Sequence, residues 1–148
     1  MRNNEISRPS NNKKVFLNSE GSQEIQPAIC HALNEISITR GNAEFMVCFD
    51  IYVNDVHLTT VQGDGVLIST PTGSTAYNLS CGGSIVHASA EVICVTPICP
   101  HSLSFRPVIL PINAKICLVL PTDARTDAWA TFDGQTRVKV HRGEQLII

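Results

Sequence analysis

The chain has 148 residues, close to the roughly 150 residues of an average domain, so its length favours one compact core over two. Hydrophobic residues make up 43% of the chain and charged residues 16%, a balance that is typical of a soluble globular protein and excludes intrinsic disorder and a coiled coil. Eleven basic and 13 acidic side chains leave a net charge of −2, without the positive excess that nucleic-acid binding requires.

The sequence predicts neither a membrane-spanning helix nor a secretion signal. No apolar run approaches the ~18 residues of a spanning helix, and polar residues follow Met1 where a signal would have its apolar region. The six cysteines lie in apolar stretches without a C-x-x-C pair, which is typical of reduced, buried thiols. Together these features predict a cytoplasmic protein that contacts neither membranes nor nucleic acids.

The first element is a polar segment, residues 1–27, which we expect to be poorly ordered. It contains Pro9, and residues 13–17 (KKVFL) are its only strand-like stretch. From Ala28 onward, short runs of β-branched and aliphatic residues alternate with turn residues. This pattern predicts a single domain of antiparallel strands over residues 28–148.

The apolar residues within 32–38 predict the first strand of that domain. An amide and a carboxylate, Asn34 and Glu35, interrupt this strand. Because neighbouring residues of a strand face opposite sides, at least one of Asn34 and Glu35 must face inward or into a cleft. In the alternative interpretation, Glu35 is simply the solvent-exposed member of the alternation. Both interpretations stay open at this point.

A hairpin follows, since every second position of residues 45–53 is apolar and the alternation resumes over residues 56–60. Asn54 and Asp55 form the predicted turn between the two arms. The second arm ends at Gly63-Asp64-Gly65, where Asp64 is either an ordinary turn residue or part of a site.

A short apolar strand over residues 66–68 ends at Pro71, and residues 72–75 can cap one helical turn over residues 75–81 that ends at the glycine pair 82–83. Further strands are predicted at residues 92–95, 108–110, 116–120, 128–132 and 138–140. The predicted fold is mainly β: a two-layer β-sandwich of short antiparallel strands with one short helix after the Thr-Gly-Ser-Thr loop.

The densest group of candidate functional residues is the loop 69–77 (STPTGSTAY). Its hydroxyls and backbone N–H groups at the start of a helical turn suit a nucleotide or an anion. It lacks the lysine of a Walker loop, and no lysine or arginine lies between Arg40 and Arg106. The loop is therefore suited to a ribose and a base, with stacking on Tyr77, rather than to a triphosphate. A purely structural corner is the alternative.

Several separated motifs resemble the C-terminal half of NAD kinases, particularly the eukaryotic ones. They are residues 63–77 (GDGVLISTPTGSTAY), residues 96–107 (TPICPHSLSFRP), the Asn-Glu pair at 34–35 and residues 131–135 (TFDGQ). The likeness covers roughly residues 28–148, and the motifs occur in the order of the family.

This resemblance implies transfer of the γ-phosphoryl group of ATP to the 2′-hydroxyl of the adenosine ribose of NAD, giving NADP, with a divalent metal (Mg²⁺) accompanying ATP. It implies NAD and ATP as ligands, a cleft between an α/β domain and this β-sandwich, and a homo-oligomer or a full-length NAD kinase subunit as protein partner. No residue of this chain is carried over as catalytic or metal-binding. The implied NAD contacts are Asn34, Glu35, Asp64, Thr75, Ala76, Tyr77, Asn78 and Ser80, together with Gln62 and Gln135.

One family motif is not found. The Gly-Gly-Asp-Gly sequence, whose aspartate activates the ribose hydroxyl, has no match before Asn34, and Asp64 belongs to the other half of the cleft and is not taken as the general base. The chain then resembles a C-terminal domain without its catalytic half, and we expect it to be inactive by itself. A catalytically inactive NAD-binding or oligomerisation module is the alternative. A lipid kinase of the sphingosine and diacylglycerol kinase type is disfavoured by the Thr-Ala-Tyr and Asn-Glu motifs.

Overall fold

The computed structural model describes the backbone of residues 13–19 and all atoms of residues 29–102 and 105–148. The described residues form twelve strands, with a 3₁₀ turn (Thr72–Thr75) and a short helix α1 (Tyr77–Ser80) between the sixth and the seventh. The strands are β1 (Lys13–Ser19), β2 (Cys30–Ala32), β3 (Glu35–Thr39), β4 (Val47–Val53), β5 (Val56–Gly63), β6 (Gly65–Ser69), β7 (Val92–Ile98), β8 (Val108–Pro111), β9 (Ile116–Val119), β10 (Ala128–Phe132), β11 (Thr136–Val140) and β12 (Glu144–Ile147).

The strands form two six-stranded sheets, and every paired strand is antiparallel to its neighbour. The first sheet has the order β2-β1-β12-β9-β4-β5 and the second the order β11-β10-β3-β6-β7-β8. The prediction of a mainly β fold in two layers with one short helix is confirmed.

The core lies between the sheets. Strand β4 shows how it forms, because Val47, Phe49 and Ile51 are fully buried while the residues between them are partly exposed. They belong to the same cluster as side chains of the second sheet such as Ile38 and Val66. Burial of each such side chain contributes roughly 1.5–3 kcal/mol to folding, so period-two alternation is sufficient to hold the layers together.

The predicted hairpin turn at Asn54 and Asp55 is confirmed. Both residues have positive φ, 51° and 65°, as a two-residue turn between twisted strands requires. The Asn54 side chain also accepts a hydrogen bond from the Lys115 N–H at 3.0 Å, which ties the turn to the neighbouring strand. Strand β4 begins two residues later than predicted, because Phe45 is exposed and lies beside Arg125.

The prediction of one strand across residues 32–38 is wrong. Strand β2 ends at Ala32 in the first sheet, and β3 begins at Glu35 in the second. Leu33 and Asn34 carry the chain from one layer to the other. We call this segment, Leu33 to Glu35, the junction.

Two strands differ from the sequence expectation at the ends of the chain. Strand β12 was not predicted, because its first two residues, Glu144 and Gln145, are polar and only Leu146 is fully buried. The strand-like stretch at residues 13–17 lies within β1, which pairs with β2 and β12. Residues 1–12 and 20–28 lie outside the described residues, and the poor order expected there stays a prediction.

The helical turn is shorter than predicted and is not capped by a side chain. Pro71 and Ala76 occupy the N-cap positions of the 3₁₀ turn and of α1. The hydroxyls expected to cap are used for tertiary bonds instead, since Ser74 Oγ accepts from Val86 N–H at 2.9 Å and donates to Val86 O at 3.2 Å. Gly82, with φ of 79°, ends the turn as expected. Among the described residues, no helix has the length and apolarity needed to cross a membrane.

Candidate functional site

The junction is held by a single carboxylate from the other end of the domain. Asp133 accepts three backbone hydrogen bonds: from Leu33 N–H at 2.6 Å, Asn34 N–H at 2.8 Å and Glu35 N–H at 3.1 Å. Partial burial alone would raise the pKa of Asp133, but these three donors outweigh it and lower the pKa below its ordinary value. The carboxylate therefore stays ionised and fixes the backbone from which Asn34 and Glu35 project.

The hydroxyl-rich loop packs directly on this junction. The Asn34 carbonyl accepts the Thr70 N–H at 2.9 Å, and the Thr70 hydroxyl donates to Leu33 O at 2.7 Å. The same hydroxyl accepts the Gly73 N–H at 3.1 Å. A Cβ on Gly73 would overlap the Asn34 carbonyl, so only glycine allows this approach. The loop and the Asn-Glu pair, 35 residues apart in sequence, therefore form one surface.

Glu35 occupies an electrostatically strained position on that surface. One of its carboxylate oxygens, Oε2, is shielded from water and has no hydrogen-bond partner among the described residues. Burial, and then the negative charge of Asp133, raise the pKa of Glu35. The carboxyl also borders a cavity of about 10 Å³, which has room for one water molecule at most and is not a ligand pocket.

Tyr77 stands at the start of α1 with 42% of its surface exposed, next to the exposed Thr75 and Ala76. Its hydroxyl is hydrogen-bonded to Cys81. Burial raises the pKa of Tyr77, and the negative fields of Cys81, Cys99 and Asp64 act in the same direction. The phenol is therefore a neutral ring whose neighbourhood includes Asp64, although thirteen residues separate the two.

Asp64 is not a free carboxylate. Its Oδ1 accepts a hydrogen bond from Arg40 Nε at 2.6 Å, and its carbonyl accepts the Arg40 N–H at 3.0 Å. The Arg40 guanidinium also donates to the carbonyl of Ala43. The ion pair with Arg40 offsets the charge of the Asp64 carboxylate, and the backbone bond fixes where the two residues meet.

Asn78 departs from the expectation that it contacts NAD. The side chain is fully buried, and its Nδ2 donates to the carbonyls of Ser74 and Ser84, both at 3.1 Å. Its Oδ1 accepts the Thr96 hydroxyl at 2.6 Å, and the backbone of Gly83 leaves no room beside it. The amide is used to fasten α1 to β7, so it presents no surface to a ligand here.

The remaining predicted contacts lie at the margins of this surface. Ser80 is exposed and lines a groove of about 430 Å³ between the end of α1 and the segments around Cys99 and Arg106. Gln62 is exposed, and its carbonyl accepts the His101 N–H at 2.8 Å. Gln135 is exposed in the β10–β11 turn, two residues after Asp133. The register therefore places Asn34, Glu35 and Gln135 beside the Ser69 end of strand β6 and Asp64 and Gln62 beside its Gly65 end, with Asn78 beneath the surface.

Sequence reasoning did not assign the bonds by which Asp133, Arg40 and Thr70 hold this surface in place, although Thr70 lies in the candidate loop and Asp133 in the motif at residues 131–135. The signal for Asp133 is the Asp-Gly pair of a two-residue turn, where φ is 47° and 69°. That signal predicts the turn and does not reveal the three N–H groups about one hundred residues away.

The arrangement suits a ribose and a planar ring better than a phosphate chain. Amide, carboxyl and hydroxyl groups at Asn34, Glu35 and Ser80 can hydrogen-bond to sugar hydroxyls, and Tyr77 offers a ring face. Arg106 lines the groove beside Ser80, and Arg40 is bound to Asp64. The described part of the chain contains no group of three His, Cys, Asp or Glu side chains that could hold a metal ion.

Comparison with known proteins gives a consistent result. A family model described as the ATP-NAD kinase C-terminal domain matches residues 33–148. The chain is 52% identical over 116 residues to NAD kinase 2, chloroplastic, of Arabidopsis thaliana, and 48% identical over 118 residues to an ATP-NADH kinase of Saccharomyces cerevisiae. These alignments cover 78% and 80% of this chain but 12% and 24% of the relatives, so the chain spans a quarter or less of their length.

Two solved structures share the fold. The yeast NADH kinase complexed with NADH superposes with a TM-score of 0.82 at 37% identity, covering 90% of this chain and 38% of that one. An NAD kinase from Archaeoglobus fulgidus in complex with ATP gives a TM-score of 0.73 at 27% identity, covering 90% of this chain and 49% of that one.

Proposed function

Because this chain belongs to the NAD kinase family, whose C-terminal domain it matches over residues 33–148, we propose that it forms the dinucleotide-binding side of an NAD kinase. In that reaction the 2′-oxygen of the adenosine ribose of NAD forms a bond to the γ-phosphorus of ATP. The bond from that phosphorus to ADP breaks, and the hydroxyl proton passes to a base. The products are NADP and ADP.

The observation that carries this proposal is the contact between the junction and the hydroxyl-rich loop. It supports a single surface on which Asn34 and Glu35 meet the Thr75-Ala76-Tyr77 segment. We assign the sugar hydroxyls to Asn34 and Glu35, a planar ring of the dinucleotide to Tyr77, and further polar contacts to Ser80, Gln62 and Gln135. Asn78 supports the surface from beneath.

The chemical step needs groups beyond those on this surface. Asp64 is paired with Arg40, and we do not assign it as the base. Mg²⁺ would accompany ATP as the resemblance implies, but the described residues offer no cluster of ligands for it, and we derive no step through it. We therefore propose that this domain binds and orients NAD, while the base and the ATP site belong to a different part of the enzyme.

The location and assembly of the protein are part of the same proposal. All six cysteines are free thiols, which supports a reducing compartment such as the cytoplasm. Exposed apolar side chains on α1 and on strand β5 support self-association or pairing with a full-length NAD kinase subunit.

A second candidate is a catalytically inactive NAD-binding or oligomerisation module. It is favoured by the exposed apolar side chains on α1 and strand β5, which suit contact with another subunit. A single experiment addresses both candidates. The chain is titrated with NAD by calorimetry, and NADP formation is then assayed with saturating NAD, ATP and Mg²⁺.

We expect the chain to bind NAD and to make no NADP by itself, because loss of general-base catalysis alone costs about 10²–10⁴ in rate. Tyr77→Ala should weaken NAD binding by roughly the 0.5–1.5 kcal/mol of an aromatic contact. Tyr52→Ala is the matched control, since the other tyrosine lies on β4 in the first sheet. Binding that is equal in both variants would remove Tyr77 from the site. Turnover by the chain alone would show that it contains the catalytic groups.

A further inference from the structure

Asp133 lies outside the predicted set of NAD contacts, yet its carboxylate accepts three backbone hydrogen bonds at the candidate site. Its two oxygens accept all three successive N–H groups of the junction, at 2.6, 2.8 and 3.1 Å. In the reverse direction, the Asp133 N–H donates to Glu35 O at 3.1 Å. Strand pairing continues from this point, with Phe132 opposite Ile36.

These bonds replace the regular pairing that the junction lacks. Leu33 and Asn34 belong to neither sheet, so their N–H groups would otherwise have no strand to donate to. Hydrogen bonds to an ionised acceptor are about twice as strong as those between neutral groups. Such bonds suit a segment that must keep its conformation without the backbone hydrogen bonds of a sheet.

Asp133 also acts on Glu35 through its charge. Strands β6 and β10 and the 3₁₀ turn carry no ionisable side chain, and β2 carries Cys30 and His31. Among the described residues, the charge that raises the pKa of Glu35, after burial itself, is that of Asp133. The two carboxyls are therefore neighbours with opposite behaviour, one kept ionised by N–H donors and the other shielded and without a donor at Oε2.

We infer that Asp133 is a positioning residue of the dinucleotide site, which holds the Leu33–Glu35 backbone so that Asn34 and Glu35 face the ligand and acts on Glu35 through its negative charge. This inference rests on the proposed function, since it concerns how NAD meets these two side chains. An ionised Glu35 accepts hydrogen bonds from sugar hydroxyls at Oε1, since Oε2 is shielded, and a protonated Glu35 loses part of that capacity. NAD affinity should therefore rise with pH through the pKa of Glu35.

The test compares Asp133→Asn with Asp127→Asn in the 148-residue chain. Asp127 is a matched control, because it lies just before strand β10 whereas Asp133 lies just after it. Like Asp133, it accepts a backbone N–H and has a lowered pKa. Carbon-detected NMR measures the pKa of the Glu35 carboxyl without ligand, and calorimetry measures NAD affinity from pH 5 to 8.

In Asp133→Asn we expect the pKa of Glu35 to fall, the low-pH loss of NAD affinity to move to lower pH, and NAD binding at pH 7 to weaken by about tenfold through the lost charged hydrogen bonds. Asp127→Asn should change neither the Glu35 pKa nor the affinity by more than about twofold. An unchanged Glu35 pKa together with unchanged NAD affinity in Asp133→Asn overturns the inference.

A second variant keeps the test decisive where Asp133→Asn does not fold. In Glu35→Gln the titrating carboxyl is replaced by a neutral amide, so the low-pH loss of NAD affinity should disappear, while the pKa of Asp133 should stay below its ordinary value because Glu35 is already protonated where Asp133 titrates. An Asp133 pKa at or above its ordinary 3.8, or a low-pH loss of NAD affinity that persists unchanged in Glu35→Gln, contradicts the inference. If Asp133 and Glu35 prove to be coupled but the unmodified chain binds no NAD, it is the proposed function that is overturned.

Discussion

Arg40 determines how much negative charge the site presents to a dinucleotide. Its guanidinium lies 2.6 Å from Asp64, and both side chains are about one third exposed. Exposed ion pairs of this kind add about 0–1 kcal/mol to stability, so the pair matters little for folding. Its importance is local, because an unpaired Asp64 would repel the phosphates of an approaching ligand.

We predict that Arg40→Gln weakens NAD binding severalfold while the melting temperature changes by only a few degrees. The effect should shrink as salt is added, since screening reduces the repulsion from Asp64. Lys115→Gln is the control, because it removes an exposed lysine–aspartate pair of 2.8 Å at the distant Asn54–Asp55 turn. Calorimetric titration at two salt concentrations measures both variants. Equal affinities for Arg40→Gln and the unmodified chain would show that the charge of Asp64 does not face the ligand.

At the scale of elements, Asn78 connects the loop to the second sheet. A four-residue helix has almost no stability of its own, and the 3₁₀ turn before it has no side-chain cap. The buried amide supplies what they lack, because it binds the carbonyls of Ser74 and Ser84 and the hydroxyl of Thr96. The position of Tyr77 therefore depends on its buried neighbour.

We predict that Asn78→Ala destabilises the domain by roughly 2–4 kcal/mol, since three buried polar groups lose their partner. Ser80→Ala, two residues later on the exposed side of the same helix, should leave stability unchanged within about 0.5 kcal/mol and act on NAD binding instead. Urea unfolding followed by NAD titration of the folded protein separates the two effects. A stable Asn78→Ala variant with lost affinity would return Asn78 to the set of ligand contacts.

The elements that the sequence predicted correctly are those defined by local pattern. Alternation predicts β4, a continuous apolar run predicts β6, and Asn54–Asp55 predicts the turn between β4 and β5. The split between β2 and β3 could not be read locally, because apolar residues lie on both sides of the Asn-Glu pair at which the chain changes sheets. Strand β12 was missed because two of its four residues are polar and it forms through its pairing with β1 and β9.

The residues of the candidate site likewise divide into those that a local motif reveals and those that depend on distant contacts. Its exposed residues sit in two short motifs, the Asn-Glu pair and the loop before α1, which sequence alone could single out. Burial of Asn78 depends on Thr96 and Gly83, and the position of the junction depends on Asp133 about one hundred residues away. Such long-range hydrogen bonds leave no periodic trace in a single sequence.

At the scale of the whole molecule, apolar side chains remain exposed at several places, and two of these are suited to association between copies. Leu33, Tyr77 and Leu79 are each exposed by more than two fifths at the candidate site, and Val56 and Leu58 are exposed on the edge strand β5. Ile36, which follows the junction, is by contrast 2% exposed and belongs to the core. A net charge of −2 provides little repulsion against contact between copies.

We predict that the 148-residue chain self-associates at micromolar concentration, because an edge strand with free N–H and C=O groups and exposed apolar side chains favours pairing. Two variants identify the surface. Val56→Lys should abolish association through the β5 edge, and Leu79→Lys should abolish association through the candidate site. Saturating NAD should also weaken association through the candidate site, because NAD and the second copy would compete for the surface around Tyr77. Sedimentation velocity of each variant at several concentrations distinguishes association through the β5 edge from association through the candidate site. A chain that stays monomeric at high micromolar concentration would contradict both kinds of association.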